Sequence, residues 1–154
     1  MEDPVLNAHN KEEYPPCHTA EHILNQTMVR MFGCPRSMNA HIEKKKCKCD
    51  YLLESAPDDI QIKDIESRVN EVIAMHLPVN ISFMTKEEAS GYVDLRKLPE
   101  NVSDTLRIVR IGDYDACACI GNHVSNTSEI GAFTITSSDY VDGRWRVRFK
   151  IIPA

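Results

Sequence analysis

Three observations predict an α+β fold, an antiparallel sheet packed against two main helices. Two long stretches, Thr19 to about Phe32 and Asp64 to His76, place apolar residues three and four apart, the helical period. Shorter stretches at Val79 to Met84, Leu106 to Ile111, Ile130 to Ser137 and Arg144 to Ile152 have strand character. The two kinds of element do not follow the strict alternation of a parallel sheet. With 154 residues, 42% of them hydrophobic, the chain suffices for one domain around one core.

In order, residues 1–16 are polar, end in Pro15-Pro16 and read as a flexible leader, which leaves 17–154 as the domain. The first helix carries Ala20, Ile23, Leu24, Met28 and Met31, and Gly33 followed by Pro35 ends it. Ser37 to Leu53 reads as a hairpin with Lys44, Lys45, Lys46 and Lys48 near its tip. The second helix repeats Ile65, Val69, Val72, Ile73 and Met75 before Pro78. Lys86 to Ser90 is a helical turn stopped by Gly91, and Asp113 to Ser128 is loop-rich. The last two strands meet at Asp142-Gly143, the dipeptide of a tight hairpin turn. In the final strand Trp145, Val147, Phe149 and Ile151 take the core face, and Arg144, Arg146, Arg148 and Lys150 the other.

Charge and cysteine usage narrow the function classes. Eighteen Lys and Arg against 23 Asp and Glu give a net charge of −5, which argues against gripping nucleic acid by bulk charge. The hairpin lysines and the alternating stripe are local basic surfaces within that acidic whole. No run approaches the roughly 20 apolar residues of a membrane helix, and Met1-Glu2-Asp3-Pro4 is not a signal peptide. Six cysteines without a secretion signal point to thiols or metal ligands in a reducing, cytoplasmic compartment.

The chemistry concentrates in two segments. His18-Thr19-Ala20-Glu21-His22 puts two imidazoles at i and i+4, on one face of a helix. Cys119-Ile120-Gly121-Asn122-His123 pairs a thiol and an imidazole at the same spacing. Three imidazoles and a thiolate make a tetrahedral set suited to Zn²⁺, which can activate water near neutral pH. The alternative is that His18 and His22 belong to a helix cap while Cys119 and His123 pack in a loop. The first segment also matches H-x-x-E-H, the inverzincin protease pattern, with Glu21 as general base. That reading ranks third, because it leaves Cys119 and His123 unexplained. Cys47-Lys48-Cys49 and Cys117-Ala118-Cys119 each place two thiols on one strand face. The first pair reads as core, and Cys117 as a neighbour of the metal set.

These segments, together with Leu106-Arg107-Ile108-Val109-Arg110-Ile111 and the run from Val124 to Gly131, resemble the editing domain of alanyl-tRNA synthetase. The likeness extends to its free-standing relatives, the short-form alanyl-tRNA editing proteins, and more distantly to the editing domain of threonyl-tRNA synthetase. Order and spacing agree from about residue 17 to the C-terminus. The family pattern near the last stretch is Cys-Gly-Gly-Thr-His-Val, then Asn/Thr-Gly-Glu-Ile-Gly. Ile120 and Ser128 stand where glycine is usual, Asn122 where threonine is usual, and Cys117 where glutamine is common. The start of the chain just before the first motif is expected of members without the extra N-terminal domain.

The resemblance implies a single zinc-containing editing domain that hydrolyses the ester joining serine or glycine to alanine tRNA. It implies His18, His22, Cys119 and His123 as zinc ligands; the zinc could polarise the carbonyl, orient the substrate's amino group or activate water, and no side chain is assigned as catalytic. Thr19, Cys117, Asn122 and Ser125 are candidate pocket residues, contacting a substrate hydroxyl or fixing a ligand's other nitrogen. The expected partner is tRNA, through its aminoacylated 3′ end and acceptor stem. Lys44, Lys45, Lys46, Arg144, Arg146, Arg148 and Lys150 are the candidate RNA contacts. The competing class is a catalytically inactive, zinc-containing tRNA-binding module.

Overall fold

The computed structural model describes residues 14–44, 46–89 and 105–154. Helix α1 runs Pro15–Phe32, followed by strands β1 (Asn39–Ile42) and β2 (Cys47–Leu52), helix α2 (Asp59–Ala74), strand β3 (Val79–Thr85) and the short helix α3 (Lys86–Ala89). Strands β4 (Thr105–Ile111) and β5 (Asp115–Ala118), a 3-10 turn at Thr127–Glu129, and strands β6 (Ala132–Val141) and β7 (Arg144–Ile152) complete the order. The class is α+β, as the sequence predicts, but the strands form two antiparallel sheets rather than one. The larger is ordered β1-β2-β7-β6 and the smaller β3-β4-β5.

Local chemistry explains most boundaries. α1 starts at Pro15, not Thr19, so Pro15 and Pro16, assigned above to the leader, form its first turn. Proline is tolerated there because a first-turn N–H has no intrahelical partner and the ring presets φ. Gly33 closes the helix at φ 67°, and its N–H reaches the Val29 carbonyl at 2.9 Å. α2 begins at Asp59, five residues before the expected start. Its cap is reciprocal: Gln61 N donates to Asp58 Oδ1 at 2.7 Å, and Asp58 N to Gln61 Oε1 at 2.9 Å. Asp142 and Gly143 both take positive φ, 49° and 82°, as a type I′ turn requires. Gly91, the expected stop for α3, lies outside the described residues.

β7 is central in the larger sheet. Trp145, Val147 and Phe149 are fully buried on the inner face, opposite Tyr51, Cys49 and Cys47 of β2. Phe133 of β6 meets Phe149 with ring centroids 4.9 Å apart. α1 packs against this face and against α2, which covers β6 through Ile65, Val69, Val72 and Ile73. Cys47 and Cys49 are therefore core residues, as small apolar side chains are in a strand. The segment expected as loop, 113–128, contains β5, which pairs with β4 from Ile108↔Ala118 to Ile111↔Asp115. α1 contacts β5 as well, so it lies where the two sheets' elements converge. None of the described helices is long and apolar enough to cross a membrane.

Candidate metal centre

Helical spacing stacks His18 and His22 on consecutive turns of α1, and both are buried. The segment leaving β5 brings Cys119 and His123 against them. One ligand atom from each of these four residues lies within 4.8 Å of the others, forming a group that can hold a metal ion. Cys119 Sγ is 3.4 Å from His18 Nε2. The His18 and His123 rings stack at 4.1 Å between centroids, and His22 meets them edge-on at 5.0 and 4.5 Å.

Contacts distant in sequence hold His18, His123 and the loop of Cys119 in orientation. The Asn122 carbonyl lies 3.0 Å from His18 Nδ1, and a carbonyl only accepts, so Nδ1 carries the proton and Nε2 presents its lone pair beside Cys119 Sγ. Thr19 Oγ1 accepts from the Val124 N–H at 3.2 Å and bonds His123 Nδ1 at 3.0 Å. Arg107 of β4 donates one amino group to two loop carbonyls, Cys119 at 3.0 Å and Gly121 at 2.6 Å. Gly121 is required by close approach. A β-carbon there would collide with His18 Cε1 and lie 2.7 Å from Nδ1.

The donor chemistry fits a tetrahedral cation. Buried imidazole nitrogens are normally hydrogen-bonded, yet His22 Nδ1 and His123 Nε2 have no such partner. With His123 Nδ1 bonded to Thr19, a cation at Nε2 accounts for the second of these. Burial, then the neighbouring His18 and Arg107, pushes His123 down to about 2. Burial, followed by His123, Arg36 and His18, holds His22 well below the ordinary histidine range. Both rings are thus neutral at pH 7, the form that binds metal.

A buried polar cluster backs His22. Asp115 of β5 receives both amino groups of Arg36, at 2.6 and 3.2 Å, and Gln26 Nε2 at 3.0 Å. Its Oδ2 lies 3.7 Å from His22 Nδ1. On the other side, Glu21 accepts from Asn25 at 3.2 Å and lies 3.8 Å from His22 Nε2. Asn25 Oδ1 in turn accepts from Tyr51 at 2.7 Å. Sequence reasoning missed Gln26, Arg36, Arg107 and Asp115 as contributors to the site. A signal for Asp115 existed: Asp115, Cys117 and Cys119 are spaced i, i+2, i+4, one face of a strand. Reading 113–118 as loop concealed it.

The other candidates divide. Thr19 is fully buried and bonded to His123, while Asn122 is exposed and contributes its carbonyl. Cys117 is part-buried on β5 opposite Val109. Ser125 donates to Glu129 Oε2 at 2.6 Å, within the cap of the 3-10 turn. Among the basic residues, Arg146 forks onto Asp50 at 2.8 and 2.9 Å, and Arg148 reaches Asp139 at 2.8 Å. Lys150 is exposed and Arg144 half-buried. Lys44 and Lys46 lie in the β1–β2 turn, and Lys45 lies outside the described residues. That turn abuts the start of α1: the Lys44 carbonyl is 3.9 Å from Cys17 Sγ, and its Nζ is 5.7 Å from the Tyr14 ring centre.

Residues 106–147 match the family described as the threonyl and alanyl tRNA synthetase second additional domain. The chain is 34% identical over 119 residues to the alanine–tRNA ligase of Petrotoga mobilis, covering 77% of this chain and 14% of that protein. It is 30% identical over 150 residues to that of Methanococcus maripaludis, covering 95% and 17%. With the Shouchella clausii enzyme the identity is 34% over 121 residues, covering 78% and 14%. The chain thus spans 14–17% of the length of these relatives. The likeness to these ligases covers most of the chain, so the chain is an alanyl-tRNA synthetase-related domain, with residues 106–147 of the second-additional-domain type.

Proposed function

We propose that residues 17–154 form a cytoplasmic, trans-acting editing domain that hydrolyses mischarged tRNA, releasing serine or glycine esterified to alanine tRNA. The observation that carries this reading is the cluster of buried His18 and His22 with half-buried Cys119 and His123, in a chain related to alanine–tRNA ligases. These four residues would hold Zn²⁺, which supplies Lewis-acid polarisation of the ester carbonyl or of water. An aminoacyl ester is already an activated acyl group, so little more is needed.

The chain's own residues prepare that chemistry. The Asn122 carbonyl and Thr19 hydroxyl orient His18 and His123, and Arg107 clamps the loop that carries Cys119. Thr19 is committed to this task and Ser125 to Glu129, which leaves Cys117 and the Asn122 side chain as the pocket candidates beside the ligand set. The 3′ end of tRNA would approach past the hairpin turn, because Lys44 borders the first turn of α1, next to His18, and Lys46 lies in the same hairpin turn as Lys44. Arg144 and Lys150 are secondary contacts, since Arg146 and Arg148 already bind carboxylates.

The test is deacylation of Ser-tRNA and Gly-tRNA by the purified protein, with metal analysis of the same sample. Hydrolysis together with about one zinc per chain supports the proposal. One observation favours the inactive tRNA-binding module instead: Ile120, 36% exposed, stands in the ligand loop where the family has glycine. Zinc and tRNA binding without deacylation would establish that second reading. The protease reading gives Cys119 and His123 no role and is set aside.

A further inference from the structure

We infer that Asp115 is a positioning residue: its carboxylate, itself held by Arg36 and Gln26, fixes the proton of His22 on Nδ1 and so turns Nε2 outward as the ligand atom. The count of lone pairs leads there. A carboxylate offers about four acceptor sites. Oδ1 of Asp115 accepts from Arg36 at 2.6 Å and from Gln26 at 3.0 Å. Oδ2 accepts from Arg36 at 3.2 Å, which leaves one site on that oxygen. Oδ2 is also the oxygen that faces His22 Nδ1, at 3.7 Å. His22 Nδ1 is buried and has no hydrogen-bond partner. The unfilled acceptor and the unsatisfied ring nitrogen face one another, and a small ring rotation brings them to hydrogen-bond distance.

Arg36 has a distinct part in this arrangement. Asp115 is 4% exposed, and its side chain is sealed from water. Alone it would be an uncompensated buried charge. Both amino groups of Arg36 neutralise it and leave no freedom to swing toward the cluster. Asp115 therefore remains an orienting acceptor. Histidine ligands depend on such an acceptor on their second nitrogen to set tautomer and ring angle. His18 has the Asn122 carbonyl in this role and His123 has Thr19. Asp115 supplies the third.

The inference rests on the metal reading of the centre, so its test has one arm that needs no metal. In the metal-free wild-type protein, long-range ¹H–¹⁵N NMR correlations report which nitrogen of His22 is protonated. The expected result is the Nδ1–H tautomer, and an Nε2–H tautomer overturns the proposal. In the second arm, cobalt(II)-loaded protein is challenged with a chelator. Asp115→Ala is expected to release cobalt(II) about 10–100-fold faster. Asp50→Ala, which breaks an Arg–Asp pair elsewhere, releases it at the wild-type rate. Should unpaired Arg36 unfold Asp115→Ala, Arg36→Met with Asp115→Ala replaces the buried pair by apolar volume and keeps the comparison. Unchanged release from either folded variant overturns the role of Asp115. If wild-type protein takes up no cobalt(II), the metal reading fails, and the tautomer alone decides for or against Asp115.

Discussion

Two Arg–Asp forks, built from the same groups, do different work in this protein. Arg146 binds Asp50 through two hydrogen bonds at 2.8 and 2.9 Å, on neighbouring strands of the larger sheet. Arg36 binds Asp115 through two at 2.6 and 3.2 Å, from the segment after α1 to β5 of the smaller sheet. Both carboxylates are buried, but the Arg146 side chain is 26% exposed and the Arg36 side chain 14%. The first fork ties two strands on a polar face, where it also occupies a cation of the basic stripe. The second lies against His22 of the possible metal group and has a free acceptor facing it. Bidentate geometry alone therefore does not reveal a role; what lies beyond the carboxylate does.

The largest expected effect sharpens the functional side of this contrast. His18→Ala or Cys119→Ala should abolish both metal binding and hydrolysis of mischarged tRNA. Cys47→Ser should leave both nearly intact, because Cys47 is a core residue whose thiol already donates to the Glu43 carbonyl at 3.1 Å. Loss of activity in folded Cys47→Ser would place the chemistry elsewhere. Next comes stability. Arg36→Ala strands a buried carboxylate and should cost about 3–5 kcal/mol in urea unfolding. Arg146→Ala, which leaves Asp50 nearer to water, should cost less. Equal losses would erase the distinction between the forks.

Acid pH provides a smaller, directional check. The Arg146 hydrogen bond holds the Asp50 carboxyl below the usual aspartate range, although burial works the other way. A depressed folded value means that the unfolded chain binds the proton more readily. The stabilisation is thus complete above the unfolded value of about 3.9 and is lost as pH falls through the folded one. The stability gap between wild type and Asp50→Asn should narrow steadily below about pH 4. A gap that stays constant there would show that the charge of Asp50 contributes nothing.

The smallest effect concerns RNA. Lys44→Glu with Lys46→Glu should weaken tRNA binding and flatten its salt dependence by about 0.7–0.9 in log–log slope for each phosphate no longer neutralised. Arg144→Glu with Lys150→Glu, on the stripe, should change the slope less. Arg146 and Arg148 stay unchanged in this test, because their reversal would place carboxylates beside Asp50 and Asp139 and confound binding with folding. A larger slope change from the stripe would move the RNA path to the sheet face.

By itself the sequence determined what contiguous residues decide. Apolar spacing located both helices, Asp142-Gly143 located the hairpin turn, and alternation placed Trp145, Val147 and Phe149 in the core. The i, i+4 spacing selected the four residues that come together as a possible metal group. Only the tertiary structure decided that the strands divide into two sheets, that 113–118 contains a strand, and which groups orient the side chains of that possible metal group. The residues that meet there are far apart in sequence. Arg36 and Asp115 are 79 positions apart, Thr19 and His123 are 104 apart, and Arg146 and Asp50 are 96 apart. Periodicity and turn chemistry act over a few residues. A hydrogen bond between distant side chains carries no local pattern, and it is selected when burial leaves polar groups that must find partners.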